Sequence, residues 1–190
     1  MTAAELMARL NADPNFVAQR AEGEEVRQKR TAEWRRAEEP LIAELRVAGY
    51  TVDSAWDLVN TSEPYLEALP ILLQHLQQPY PGPVREGIAR ALAVRPARSG
   101  WDVFKRLYRT EQDKRAKDGL AVAIAATADD DVIDEVIGLV RDERHGSSRL
   151  LLLSALERSK DPRARAALMD LGTDPDLQEE IQVILRRLKR

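Results

Sequence analysis

The chain repeats itself at a spacing of 32 residues, and nothing else in the sequence limits its possible folds so sharply. Val84-Arg85-Glu86-Gly87-Ile88-Ala89-Arg90-Ala91-Leu92 reappears as Ala116-Lys117-Asp118-Gly119-Leu120-Ala121-Val122-Ala123-Ile124. A looser copy follows as Ser148-Arg149-Leu150-Leu151-Leu152-Leu153-Ser154-Ala155-Leu156. Each copy opens on a basic residue, Arg85, Lys117 or Arg149, and apolar residues follow at the same offsets. A fixed period of this length implies stacked units, none of which can bury its apolar face alone. Within each unit the apolar residues recur at three- and four-residue steps, the helical spacing. No run of β-branched residues alternates with polar ones, so strands are not expected. The expected fold is all-α.

Capping signals delimit the helices. Asp13-Pro14, Asp161-Pro162 and Asp174-Pro175 each set an N-cap acceptor before a proline at the first helical position, where no backbone donor is lost. Ser99 with Asp102 resembles a capping box with Asp in place of Glu. The first helix of one pair is expected from about residue 62 to 76, kinked at Pro70, and after the turn Pro79-Tyr80-Pro81-Gly82-Pro83 its second helix carries Ile88, Ala91 and Leu92 inward. The next pair buries Phe104, Leu107 and Tyr108, then Leu120, Ala121 and Ile124; the third buries Ile133, Val136 and Val140, then Leu152, Leu153 and Leu156. A last pair, 162–171 and 175–189, carries Leu168, Ile181 and Ile184.

Leu69-Pro70-x-Leu72-Leu73, followed after a proline-rich turn by Val84-Arg85-x-x-Ile88-Ala89-x-Ala91-Leu92, resembles a HEAT repeat, and the chain looks like a small bacterial-type HEAT-repeat protein. The resemblance implies a right-handed α-solenoid of about four antiparallel helix pairs that serves as a protein-binding scaffold. It divides the chain into an N-terminal helical extension or cap over 1–60 and a HEAT-like repeat domain over 61–190. It also implies that the basic residue opening each second helix pairs with an acid about six residues earlier. Glu111 suits Lys117 and Glu143 suits Arg149, while Pro79 leaves Arg85 without a partner.

The extension has a different character. Residues 14–39 are helical by propensity but polar nearly all round, with Phe16, Val17, Val26 and Trp34 as the main large apolar anchors. Pro40 ends or kinks this helix; Leu41, Ile42 and Leu45 resume an apolar face before Gly49 stops it, and a short helix over about 53–59 follows. A helix this polar caps the open end of the stack, projects into solvent or meets a partner.

Composition restricts function. The 190 residues hold no cysteine, which removes disulfides, thiolate metal sites and a cysteine nucleophile, and fits a cytoplasmic location. The opening Met-Thr-Ala-Ala-Glu does not read as a secretory signal, and the longest wholly apolar run, Leu120 to Ala126, is far short of a membrane span. The net charge of −3 argues against a polyanionic partner recognised by bulk charge. Two histidines, His75 and His145, lie in different repeats with no metal-ligand spacing, and Asp129-Asp130-Asp131 lacks the glycine and glutamate of a calcium loop, so the acids read as caps. Ser147 and Ser148 near His145 lack the orienting third group of a catalytic triad and read as a loop with an N-cap.

No enzyme and no cofactor are expected. The expected activity is binding of another protein through the concave face lined by the second helices, with Arg85, Arg90, Lys117, Arg149 and Trp34 as candidate partner-binding residues. One form of such a binder is an immunity-type inhibitor that occludes a toxin. The alternative is a nucleic-acid binder using the basic column Arg85, Lys117 and Arg149. Against both stands a structural role for that column, pairing within the turns. A second basic cluster, Lys105, Arg106, Arg109, Lys114 and Arg115, reads as a solvated face balanced by Glu111 and Asp113.

Overall fold

The computed structural model describes residues 2, 5–7, 9 and 12–188. Among these residues the chain is all-helical and has no strand. The α-helices are α1 (Pro14–Val47), α2 (Ala55–Val59), α3 (Ala68–Leu76), α4 (Gly82–Ala91), α5 (Trp101–Thr110), α6 (Lys114–Thr127), α7 (Ile133–Arg141), α8 (Arg149–Arg158), α9 (Pro162–Asp170) and α10 (Gln178–Arg187). Short 3₁₀ turns (Arg95–Gly100, Asp130–Val132, Glu143–Ser148 and Leu171–Thr173) fill several of the connections.

Asp13 and Asp161 cap α1 and α9 as their Asp-Pro pairs suggest, accepting from the amides of Asn15 at 2.9 Å and Arg163 at 2.8 Å. Helix α1 runs through Pro40 and stops at Gly49, whose φ of 93° is left-handed. There the Gly49 amide reaches the Arg46 carbonyl and the Tyr50 amide reaches Leu45, the paired bonds of a glycine-terminated helix. Other boundaries differ from expectation. Helix α3 begins at Ala68, so Pro70 lies in its first turn, where amides have no intrahelical acceptor and no ladder bond is lost. Leu66 is left outside and exposed. Ser99 belongs to a 3₁₀ turn and does not cap α5, whose first residue follows Gly100 with no side-chain cap. Asp174 accepts from the Asp176 amide in a turn, and α10 starts only at Gln178.

Packing follows the repeat. Within each pair, α3 lies on α4, α5 on α6, α7 on α8 and α9 on α10. Between pairs, the even-numbered helices form a row: α2 packs on α4, α4 on α6, α6 on α8 and α8 on α10. Side-chain bonds recur across neighbouring units at one step of 29 residues: Arg106 to Gln77, Arg115 to Glu86, Ser159 to Asp130 and Arg141 to Asp170. A single apolar core runs along the row, from Leu41, Ile42 and Leu45 of α1 through Leu72, Ile88, Phe104, Leu120, Ile124, Val136, Leu152 and Leu168 to Ile181 and Ile184.

Two glycines at matching places in the repeat allow close contacts between elements of the row. A Cβ on Gly119 would lie 2.9 Å from the backbone oxygen of Glu86, and one on Gly87 would lie 2.8 Å from the Trp56 indole nitrogen. Gly87 and Gly119 hold the same place in the repeat. There they let α4 approach α6 and Trp56 approach α4. The N-terminal helix divides in two. Its last third buries Glu38, Leu41, Ile42 and Leu45, while Val17 and Val26 on the earlier turns are exposed among local pairs such as Arg27–Glu24 and Lys29–Glu25.

Candidate partner-binding surface

The basic column points into the turns between helices, and Arg85 and Arg149 find their partners forward along the chain. Arg85 sets its guanidinium 2.5 Å from the carboxylate of Glu111, in the turn after α5. Arg149, only 1 % exposed, pairs with Asp174 at 2.7 Å and Asp176 at 3.0 Å in the turn before α10, and also donates to the Gly146 and Val140 carbonyls. Burial opposes the Arg149 charge, and the two aspartates outweigh it, leaving the guanidinium pKa above its ordinary value. Lys117 reaches the Glu111 backbone oxygen at 3.4 Å and lies over the Tyr108 ring. The expected pairing six residues back is corrected for Arg149, whereas Lys117 does reach Glu111, through its backbone carbonyl and not its carboxylate. Glu143 does not hold Arg149, and Glu111 gives its carboxylate to Arg85 and its carbonyl to Lys117. Arg85 and Arg149 tie one unit to the next, while Lys117 stays within its own pair. Arg149 is sealed in the core, and as a surface contact it is withdrawn.

Trp34 and Arg90, expected as separate candidates, meet in one cluster. Glu86 on α4 is buried and accepts from Arg90 Nε at 3.0 Å and from Arg115 Nε of α6 at 3.1 Å. The Arg90 guanidinium lies over the Trp56 ring at 5.8 Å, and that of Arg115 over the Trp34 ring at 5.7 Å, both within cation–π range. One carboxylate thus joins two stacked Arg–Trp pairs drawn from α1, α2, α4 and α6. Trp34 is half-buried and packs on the core, so it fastens α1 to the row as well as edging its surface. Arg115 and Trp56 were not marked as site residues. The 29-residue step from Glu86 to Arg115 that joins them arises from packing and is not readable from the 32-residue period.

Beside this cluster the second helices form an apolar groove. Val122 and Ala126 of α6, Leu150 and Leu151 of α8 and Ile184 of α10 line a hollow of about 460 Å³, with Ser154, Glu157, Arg158 and Glu180 also on its walls. Arg115, Val122 and Ala126 stand seven and four residues apart on α6, which places them along one helix face. The cation cluster and the groove are therefore successive stretches of the same surface.

The remaining candidates resolve into structure. The Ser148 hydroxyl does not cap α8. It donates to the His145 carbonyl at 2.7 Å and lies 2.9 Å from the Tyr108 hydroxyl, whose pKa burial pushes up to about 12. Burial lowers the His145 pKa, and its ring packs on Tyr108 without a hydrogen bond to either serine. His75 sits between Tyr80 at 2.7 Å and Glu44 at 3.3 Å. Among the described residues no group of three or more side chains is placed to hold a metal ion. Asp129 caps the Asp131 amide. In the second basic cluster Lys105 pairs with Asp102 and Glu135, Arg106 bonds Gln77 and Lys114 pairs with Asp118, so the acids that balance it are not Glu111 and Asp113. Arg187, in the last turn of α10, pairs with Glu157. Among the described residues no helix is long and apolar enough to cross a membrane. Compared with protein-family models, with curated proteins and with solved structures, the chain finds no match.

Proposed function

We propose that the chain is a non-catalytic, HEAT-like solenoid that binds another protein through the face formed by its second helices. The observation that carries this reading is the apolar groove floored by Val122, Ala126, Leu150 and Leu151. Side chains of this kind left together on a helical face favour burial against a partner, because covering apolar area is the main gain in association. The repeated packing of α2, α4, α6, α8 and α10 supports the solenoid part of the reading. Commitment of Arg85 and Arg149 to Glu111, Asp174 and Asp176 weighs against the nucleic-acid alternative, since those charges are already neutralised. An immunity-type inhibitor is one form of the protein-binding reading, and rescue of growth on co-expression with a toxin would identify it.

The test compares the wild type with a Val122→Asp, Leu151→Asp double variant in affinity capture from the native cell lysate after nuclease treatment. A protein retained by the wild type and lost by the variant, with thermal midpoints alike, is the expected result. Equal retention by both, or recovery of nucleic acid alone without nuclease, overturns the reading.

A further inference from the structure

The Arg90–Glu86–Arg115 cluster is held in a way that leaves its binding capacity unspent. Glu86 engages each guanidinium through Nε only. Among the described residues, neither arginine places a terminal amino group in a hydrogen bond within the chain. Each therefore keeps the paired donors that match a carboxylate in two parallel bonds. Both are also fixed in advance, by Glu86 along one edge and by an indole against one face. Fixing the donors beforehand removes much of the ordering cost that an exposed arginine incurs on binding. The charge balance points the same way, because the two guanidiniums share one carboxylate. Arg35, which lies with Trp34 and Trp56 around an adjoining hollow of about 190 Å³, is exposed and unpaired among the described residues.

We infer that this cluster receives the carboxylates of an acidic protein segment whose apolar residues lie in the adjoining groove. The inference rests on the protein-binding reading and names the chemistry of the partner. Charge complementarity decides the sign at the cluster, where a basic segment would meet Arg35, Arg90 and Arg115 unfavourably. Glu157 (which Arg187 pairs), Arg158 and Glu180 line the groove, so the acids of the segment belong at the cluster and its apolar residues in the groove. The neighbouring groove, with floor residues Val122, Leu150 and Leu151, favours a segment with aliphatic side chains over a nucleic-acid strand. Trp34 and Trp56, each under a guanidinium, form the rim on which such a segment rests.

Three short synthetic helical peptides test this, all sharing one Leu/Ala face: one flanked by Glu, one by Lys and one by Ser. A single-stranded DNA oligomer serves as the nucleic-acid arm. The readouts are the indole N–H signals of Trp34 and Trp56, the backbone amides of Val122, Leu150 and Leu151, and the indole of Trp101 as a control bonded elsewhere to Glu135. The Glu-flanked peptide is expected to shift the Trp34 and Trp56 signals together with the groove amides and leave Trp101 unmoved. It should bind about tenfold more tightly than the Lys-flanked one, with the difference shrinking as salt rises. An Arg90→Lys, Arg115→Lys variant, which keeps the charges beside Glu86 but loses the planar fork, should lose most of that preference while folding normally. If the peptides shift the groove amides equally whatever their flanks, the inference fails and the protein-binding reading stands. If none of them shifts the groove, that reading fails as well. DNA shifting the two indoles more tightly than the Glu-flanked peptide overturns both.

Discussion

Arg149 is 1 % exposed and still carries its charge, because Asp174 and Asp176 receive it from the next unit. Removing one member of such a pair leaves the other charge poorly solvated. Arg149→Ala is therefore expected to cost about 3 kcal/mol in urea unfolding. Arg187→Ala, which breaks an exposed pair with Glu157, should stay within about 0.5 kcal/mol. The basic residue at this place in the repeat was legible from sequence, but its partner was not. Pairing six residues back is a relation within one unit, whereas the observed partners lie 25 and 27 residues ahead, across a contact that only stacking creates. Glu38 carries a second residue-scale prediction. Its buried carboxylate accepts from the Ser54 hydroxyl and from the Ala55 amide at 2.7 Å, tying α1 to the start of α2. Burial raises its pKa above the ordinary carboxylate value despite those bonds. The folded state then holds the proton more tightly than the unfolded chain. This contribution is fully present below the unfolded value of about 4.3 and is lost as pH rises through the folded one. Glu38→Gln should therefore gain stability relative to wild type as pH rises from 4 to 7 in paired unfolding curves. Glu38→Ala, which strands two donors, should lose about 1–3 kcal/mol across the same range.

Among the elements, the glycines separate conformational cost from packing. Gly138 lies within α7 with nothing near its absent side chain, so Gly138→Ala should stabilise the protein by about 0.5–1 kcal/mol through helix propensity. Gly119 has the same propensity to gain, but its new methyl would meet the Glu86 backbone of α4, which cannot rotate away as a side chain can. Gly119→Ala should therefore lose about 1–3 kcal/mol in spite of the better helix former. Thermal midpoints moving in opposite directions would establish this, and parallel gains would show that α4 and α6 part easily. Helix identity was largely readable because the apolar period persists through Phe104 and Tyr108, Leu120 and Ile124, and Leu152 and Leu156. Boundaries were less so. Pro70 reads as a kink only if α3 is taken to begin near residue 62, whereas the helix starts at Ala68 and puts the ring where it costs nothing. Ser99 and Asp102 have capping chemistry, but Ser99 lies in a 3₁₀ segment that ends at Gly100, and Asp102, in the first turn of α5, pairs with Lys105.

At the scale of the molecule, each helix of the even-numbered row touches its neighbours in the row, and several inter-unit bonds share one step of 29 residues. The candidate surface follows from that row. Trp34, Trp56, Arg90 and Arg115 are distant in sequence, and only the docking of α1 and α2 beside α4 and α6 makes them one cluster. Trp34 and Arg90 could be marked from residue type. Their meeting through Glu86 could not, because it depends on a long helix of low amphipathicity whose position is set by Leu41, Ile42 and Leu45 at its far end. Stability in such a row is expected to be a sum of nearest-neighbour terms, so damage at one contact should spread one unit and fade. The Arg149→Ala variant gives the final prediction. Amide exchange should quicken in α8 and in α10, whose preceding turn supplies both aspartates, while protection in α2 and α4 stays at the wild-type level. Equal loss of protection in all helices would show that the row opens as one unit. The Arg90–Arg115 cluster would then share its stability with the far end of the chain instead of standing independent of it.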